Sequence, residues 1–260
     1  MNEMRVWKKM ILALALAASV AVGGTAEAMT SDDEQQLDVL SSQNQIWEKE
    51  MCIGEAVAQD GKFAVTDLDH NGRLELLFTT TAGEEEYVET WGYEVNRSGN
   101  GASLLQFLNG SNNTDIAKSP VRMYFACQIL KRHYIFETVQ WTPSMEGGWA
   151  RDGKLVGLCL EDGVVRQEML GHFYEAYEKR GQAPVQILYS DSKANLIDEE
   201  AYKNLARKRY DGYHIFDVRI GWTPVTELAN AINDQKKVRE VFAKSYAGFS
   251  EEEIDEGPVH

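Results

Sequence analysis

Short β-type runs, each closed by a turn signal, dominate the middle of this 260-residue chain and restrict what it can fold into. Lys62-Phe63-Ala64-Val65-Thr66 and Leu74-Glu75-Leu76-Leu77-Phe78-Thr79-Thr80 flank Asp69-His70-Asn71-Gly72. Asn-Gly is a strong hairpin signal, because both residues tolerate the left-handed backbone of a tight reversal. A second pair of runs, 87–96 and 104–107, surrounds Ser98-Gly99-Asn100-Gly101. A third, 121–128 and 133–141, surrounds Lys131-Arg132, and a fourth, 154–161 and 164–170, meets at Asp162-Gly163. Residues 184–189 add one more strand. Successive hairpins with short turns imply antiparallel pairing in up-and-down order.

Helical signals sit toward the two ends. Ser31-Asp32-Asp33-Glu34 reads as a capping box, and Leu37, Leu40, Trp47 and Met51 follow near helical spacing, which predicts a helix over about 32–51, with Ser41-Ser42 as the place where it could break. Asp198, preceded by Ile197, marks the start of a later helix carrying Tyr202, Leu205 and Ala206. Residues 213–222 return as a strand. Thr223 as cap and Pro224 at the first helical position then open a last helix with Leu228, Ile232, Val238, Val241, Phe242 and Tyr246 on its apolar face. The expected fold is α+β: a β-dominated antiparallel up-and-down sheet of hairpins with flanking N- and C-terminal helices, one domain over 29–250 and a loose acidic tail over 251–260. Four hairpins also admit a propeller-like arrangement, ranked second because no strict repeat is present.

Residues 1–28 read as a cleavable secretory signal. Arg5, Lys8 and Lys9 form a basic start, an apolar stretch runs from Met10 to Val22, and Ala26-Glu27-Ala28 supplies the small-x-small cleavage pattern. The expected location is therefore secreted, periplasmic or cell envelope, as a soluble protein without a membrane span after processing. The chain carries a formal charge of −15. Removing Arg5, Lys8 and Lys9 together with Glu3 and Glu27 takes away three positive and two negative charges, leaving −16. Such a charge repels nucleic acid and anionic membranes and suits cation binding.

Three cysteines, Cys52, Cys127 and Cys159, allow one disulfide in an oxidising compartment. Cys127 and Cys159 fall in strand-like runs and make the favoured pair, with Cys52 free; three small buried thiols are the alternative.

The strongest candidate site is Asp67-Leu68-Asp69-His70-Asn71-Gly72-Arg73-Leu74-Glu75. Side-chain oxygens fall at loop positions 1, 3, 5 and 9 through Asp67, Asp69, Asn71 and Glu75. Gly72 at the sixth position lets the Arg73 carbonyl turn inward, and the implied ion is Ca²⁺. Phe78 stands where an EF-hand carries Glu, and strands rather than helices flank the loop, so this is not an EF-hand. Asp-x-Asn-Gly also makes a tight turn without any ion. Glu75 adds a third carboxylate for which a turn has no need.

The loop resembles the shorter calcium loops of FG-GAP, integrin-type repeats. The run from Phe63 to Leu76 is also similar to a segment of uncharacterised secreted proteins and lipoproteins of gut Firmicutes, in which it follows a helix ending near an Asn and a Trp (here Asn44 and Trp47). The Tyr-rich 87–95 run, Ile197-Asp198-Glu199-Glu200-Ala201-Tyr202 and Ile220-Gly221-Trp222 resemble the same family more loosely. That resemblance implies location and fold, not an activity; the lipobox Cys of some members is absent here.

Other candidates are weaker. Glu84-Glu85-Glu86 reads as a solvated turn, and His133 near Cys127 as two strand residues. His172 precedes Glu175 by three residues, which places them on opposite faces of a strand. Trp91, Trp141, Trp149 and Trp222 read mainly as core residues, except that Trp149, after Gly147-Gly148, is expected in a loop as an exposed ligand contact. No G-x-S-x-G, H-E-x-x-H or phosphate loop is present. The sequence thus reads as a non-enzymatic binding or structural protein with a calcium-stabilised hairpin and an extracellular protein or glycan partner. The alternative is a secreted carboxylate-dependent hydrolase of cell-wall or dietary polymer.

Overall fold

The computed structural model describes residues 29–43, 61–82, 87–108, 121–143 and 148–254. Residues 1–28, Cys52, Trp47, Met51, Glu84-Glu85-Glu86 and the last six residues lie outside that set.

Fourteen strands and five helices are defined among the described residues, and the strands form two antiparallel sheets. In chain order they are α1 (Ser31–Ser42), β1 (Lys62–Thr66), β2 (Glu75–Ala82), β3 (Tyr87–Val95), β4 (Ala102–Leu104), β5 (Gln106–Phe107), β6 (Val121–Ala126), β7 (Lys131–Pro143), β8 (Trp149–Glu161), β9 (Val164–Tyr177), β10 (Gln186–Asp191), β11 (Leu196–Ile197), α2 (Glu199–Lys203), α3 (Leu205–Arg209), β12 (His214–Arg219), β13 (Thr223–Pro224), α4 (Val225–Ala231), α5 (Gln235–Tyr246) and β14 (Ser250–Ile254). The smaller sheet runs β13-β1-β2-β3-β4, and the larger runs β11-β10-β9-β8-β7-β6-β12-β14. Short β5 joins β9 in parallel, the one exception to antiparallel pairing in the described ladders. The expected α+β, β-dominated architecture is present, and the described strands form neither a propeller nor a closed barrel.

Strand alternation decides the layers. In β1 and β2, Phe63 pairs with Phe78 and Val65 with Leu76, and these side chains meet Leu37 and Leu40 of α1, Leu228 of α4, and Val238 and Phe242 of α5. The opposite face of the small sheet, through Leu77, meets Met123, Tyr134, Phe136, Val156, Leu158 and Val218 of the large sheet. Beyond it, α2 and α3 pack on the large sheet's outer face: Tyr202 meets Phe173, and Ala206 and Tyr210 pack on Tyr124, Ile135 and Leu170. The order is helices, small sheet, large sheet, helices. The small sheet is buried on both faces, so β1 reads as a nearly continuous apolar run rather than an alternating one.

Close approach of α3 depends on Gly157, where an added Cβ would overlap the Tyr210 hydroxyl. Gly157→Ala should therefore cost about 1–3 kcal/mol by overpacking, read as a lower urea midpoint. An unchanged midpoint would mean that Tyr210 moves aside freely.

Several boundaries differ from the sequence expectation. Thr30, not Ser31, caps α1: its hydroxyl accepts from the Asp33 N–H (3.2 Å), and Asp33 Oδ2 accepts from the Thr30 N–H (2.9 Å). Thr223-Pro224 leads directly into α4 as expected, but Pro224 rather than Thr223 stands at the N-cap, no side chain caps the helix, and both residues pair with β1. The last helix is also broken in two, with Asp234 capping α5 through the Lys236 and Lys237 N–H groups. The start of the acidic tail is not loose, because residues 250–254 pair with β12. Trp149 lies in a strand rather than a loop, placed between Pro143 and Tyr177.

The expected Cys127–Cys159 bridge is absent; both are free thiols, Cys127 exposed and Cys159 buried. Cys127 follows the Ala126↔Lys131 rung, at the tip of the β6–β7 hairpin, whereas Cys159 follows Leu158, which pairs with Tyr134. They flank β7 on opposite sides, so two strand spacings and about three residues along the strand separate them, roughly 14 Å in all. A disulfide spans at most about 7 Å between Cα atoms. Maleimide should label Cys127 in the folded protein and Cys159 only after unfolding, since burial also pushes the Cys159 thiol up from its ordinary pKa. A native intact mass showing no addition at Cys127 would reinstate a bridge.

Candidate metal centre

Asp67, Asp69 and Glu75 converge: one carboxylate oxygen of each lies within 4.8 Å of the others. Local chain geometry produces this. Thr66 and Glu75 form the rung of β1 and β2 nearest the loop, so their side chains share a face. Glu75 is fully buried, and its Oε2 accepts from the Thr66 hydroxyl (2.9 Å) and the Leu68 N–H (2.8 Å). The loop then reverses through two left-handed residues, His70 (φ 52°) and Gly72 (φ 78°). That reversal brings the Gly72 N–H to Asp67 Oδ2 at 3.2 Å.

Hydrogen bonds leave two oxygens over. Asp67 Oδ1 and Glu75 Oε1 are buried and lack a hydrogen-bond partner. Buried unpaired acceptors are rare, and charged ones are costly. Burial, with Asp69 close by, pushes the Asp67 carboxyl up to about 6 despite opposing pulls from His70, the Gly72 N–H and Arg132. Burial first, and then the charges of Asp67 and Asp69, push Glu75 well above the ordinary carboxylate range. Burial likewise raises Asp69. Three carboxylates that resist joint ionisation are what a divalent cation relieves.

Asn71 plays a different part from the one its loop position implies. Its Oδ1 accepts from the Arg73 N–H (2.8 Å), and its Nδ2 donates to Asp69 Oδ2 (2.8 Å) and Glu94 Oε1 (2.9 Å). In this geometry Asn71 clamps the loop and orients Asp69. Arg73 anchors through its guanidinium, which reaches Glu94 (2.8 Å) and Asp162 (3.4 Å).

Long-range partners that the sequence does not reveal hold the loop in place. Gln36 of α1 brackets it, donating to the Gly72 carbonyl (2.7 Å) and accepting from the Leu74 N–H (2.8 Å). The Asp162 N–H, in the β8–β9 turn, reaches Asp69 at 3.3 Å. The Tyr134 hydroxyl sits between the Leu68 carbonyl (2.5 Å) and Glu251 (2.8 Å). Glu251 in turn pairs with His70 (3.1 Å) and Arg132 (3.7 Å). The loop therefore ties α1, both sheets and β14 together.

The weaker candidates separate. His172 pairs with Asp152 at 3.0 Å on the face opposite Glu175, and His133 stacks on Tyr210, with ring centroids 4.6 Å apart. Trp91 stacks on Phe78 at 5.9 Å, and Trp222 packs against the inter-sheet core. Trp149 is half-buried and joins Trp141 and Tyr177 on the outer face of the large sheet. No described helix is long and apolar enough to cross a membrane. Compared with protein-family models, curated proteins and solved structures, the chain gives no match.

Proposed function

We propose that this is a secreted, non-enzymatic binding or structural protein whose β1–β2 loop takes up a calcium ion. The observation that carries the ion is the pair of partnerless buried oxygens, Asp67 Oδ1 and Glu75 Oε1, inside a three-carboxylate cluster. Asp67, Asp69 and Glu75 supply the anionic ligands, and carbonyl groups and water complete an oxygen shell. Mg²⁺ suits the site less, because it demands a tighter octahedron and keeps its waters. The leader-like first 28 residues support an extracellular setting, where calcium is plentiful. In that setting the ion stabilises the junction of the two sheets.

Calorimetric titration of EDTA-stripped protein with CaCl₂ should give one site, with a dissociation constant on the order of 10⁻⁴ M and weaker binding of Mg²⁺. Absence of both binding heat and Tb³⁺-sensitised emission would withdraw the ion and leave a plain turn.

The hydrolase alternative has one observation in its favour. Arg151 on the outer face contacts both Glu175 (2.9 Å) and Glu137 (3.6 Å), so two carboxylates meet at one arginine. Against it, the same Glu175 oxygen already accepts from both Arg151 and the Tyr177 hydroxyl. Glu175→Gln separates the readings: an enzyme would hydrolyse polymer as wild type and lose that activity in the variant, whereas a binding protein would hydrolyse it in neither form.

A further inference from the structure

On the outer face of the large sheet, away from the residues that α3 packs against, an aromatic box already holds a cation. Cross-strand register builds the box. Trp149 of β8 stands opposite Pro143 of β7 on one side and Tyr177 of β9 on the other. Trp141 stands opposite Arg151, one alternate position along. Side chains two apart share a face, so Trp141, Trp149 and Tyr177 are neighbours, with the indoles diagonal across the β7–β8 ladder. The Trp141 and Tyr177 rings lie 5.1 Å apart at 42°. All three residues are half-buried.

Arg180 follows three residues after Tyr177, in the β9–β10 turn, where Gly181 (φ 89°) takes the left-handed reversal. Its guanidinium carbon lies 5.4 Å from the centroid of each indole. Two ring faces thus converge on one positive centre, the arrangement in which aromatic quadrupoles attract cations. Negative charge stands beside it: Glu175 accepts from the Tyr177 hydroxyl, and Glu137 lies on the other arm of Arg151. Yet Arg180 itself is exposed, and among the described residues no carboxylate lies within ion-pair distance of it. Among the described residues, the two rings are what holds it there.

We propose that Trp141, Trp149 and Tyr177 form a binding site for an organic cation of the quaternary-ammonium class, with Arg180 as a displaceable occupant. A tethered guanidinium has the advantage of high local concentration. A free ligand displaces it only by gaining what Arg180 lacks. Methyl groups around a quaternary nitrogen touch several ring faces at once, and the absence of N–H groups lowers the cost of leaving water. A neutral sugar has no use for a seat that selects positive charge. This site is separate from the calcium loop and goes beyond that reading.

The test is choline chloride titrated into full-length mature protein, with calcium held at about 1 mM, followed by tryptophan fluorescence and calorimetry. Wild type should bind weakly. Arg180→Ala should bind about tenfold more tightly if Arg180 fills the seat for about nine-tenths of the time. 3,3-Dimethylbutan-1-ol, the uncharged isostere of choline, should bind at least about tenfold more weakly than choline, because it has no charge for the rings to attract. Trp149→Ala should abolish binding; if that variant melts early, Trp149→Leu in the Arg180→Ala background serves instead. A well-folded Arg180→Ala variant that binds no choline overturns the proposal and makes Arg180 a turn anchor. Equal binding of choline and its isostere overturns it too, leaving an apolar patch. So does Trp149-dependent binding of a neutral oligosaccharide that choline fails to displace.

Discussion

Calcium at about 1 mM should raise the thermal midpoint by roughly 3–6 °C, and Glu75→Gln should erase that rise while raising the midpoint in EDTA. A dissociation constant on the order of 10⁻⁴ M gives about 1.4 kcal/mol of stabilisation by mass action, which sets the shift for a chain of this size. The opposite response of the variant follows from how Glu75 is held. Its Oε2 already accepts two hydrogen bonds, from Thr66 and Leu68, whereas Oε1 has none. A glutamine keeps both bonds through its carbonyl and places an uncharged amide where a buried anionic oxygen stood. Relief of that penalty should be worth about 1–3 kcal/mol in the ion-free protein. Asp67→Asn combined with Asp69→Asn should also abolish the calcium response and leave the ion-free protein no less stable. Differential scanning calorimetry in EDTA and in calcium decides it. A Glu75→Gln variant destabilised in EDTA and still responsive to calcium would show that Glu75 is a structural carboxylate and not a ligand.

The three clustered carboxylates are legible in the sequence because their convergence is local. Asp67, Asp69 and Glu75 lie within nine residues, and the Thr66↔Glu75 rung plus the Gly72 reversal bring them together. What surrounds them is not local. Gln36, Tyr134, Asp162 and Glu251 reach the loop from separate elements, and no spacing rule connects them. Asn71 shows the limit of position-based reading: the right residue type stands at the fifth position, but Glu94 and the Arg73 N–H compete for its amide. Thr223-Pro224 has every property of a helix start. It does open α4, with Pro224 at the N-cap, but its backbone also joins β1: no side chain caps the helix, and the Val225 N–H goes to the Gly61 carbonyl at 2.9 Å. The acidic 250–254 segment looks like a solvated tail until its partners are placed. Glu251 then faces His70, and Glu253 meets His214 at 2.6 Å, so a run that repels itself in isolation becomes an edge strand. The hairpins themselves were readable because turn chemistry and alternation agree over each one. The stacking of two sheets was not, because it depends on which faces meet.

In EDTA the protein should gain stability on going from pH 7 to pH 5, the reverse of ordinary acid destabilisation. Most carboxylates that matter to a fold are paired, titrate low and weaken the protein when protonated. Here the loop carboxylates are buried together, and Asp67 titrates at about 6 in the folded chain against its ordinary 3.8. The folded state then binds the proton more tightly than the unfolded state. Stability therefore rises as pH falls through about 6, and the gain is complete below the unfolded value of 3.8. For Asp67 alone the gain between pH 7 and pH 5 is about 1.3 kcal/mol, or roughly 3–5 °C in the midpoint. Glu75 and Asp69, also raised, act in the same direction. His133 opposes them: burial lowers its pKa, so the folded state favours the neutral ring and loses stability as pH falls through the ordinary histidine value. Asp67→Asn isolates the loop, because His133 contributes equally to both proteins, and the variant should lose the Asp67 share of the gain. With saturating calcium the wild-type gain should vanish or change sign, since protons then compete with the ion for the same oxygens. Melting curves at pH 5, 6 and 7, with EDTA and with calcium, give both profiles. Wild type and Asp67→Asn falling in parallel from pH 7 to pH 5 in EDTA would mean that the Asp67 oxygens are solvated, and the case for an ion between them would go with the result.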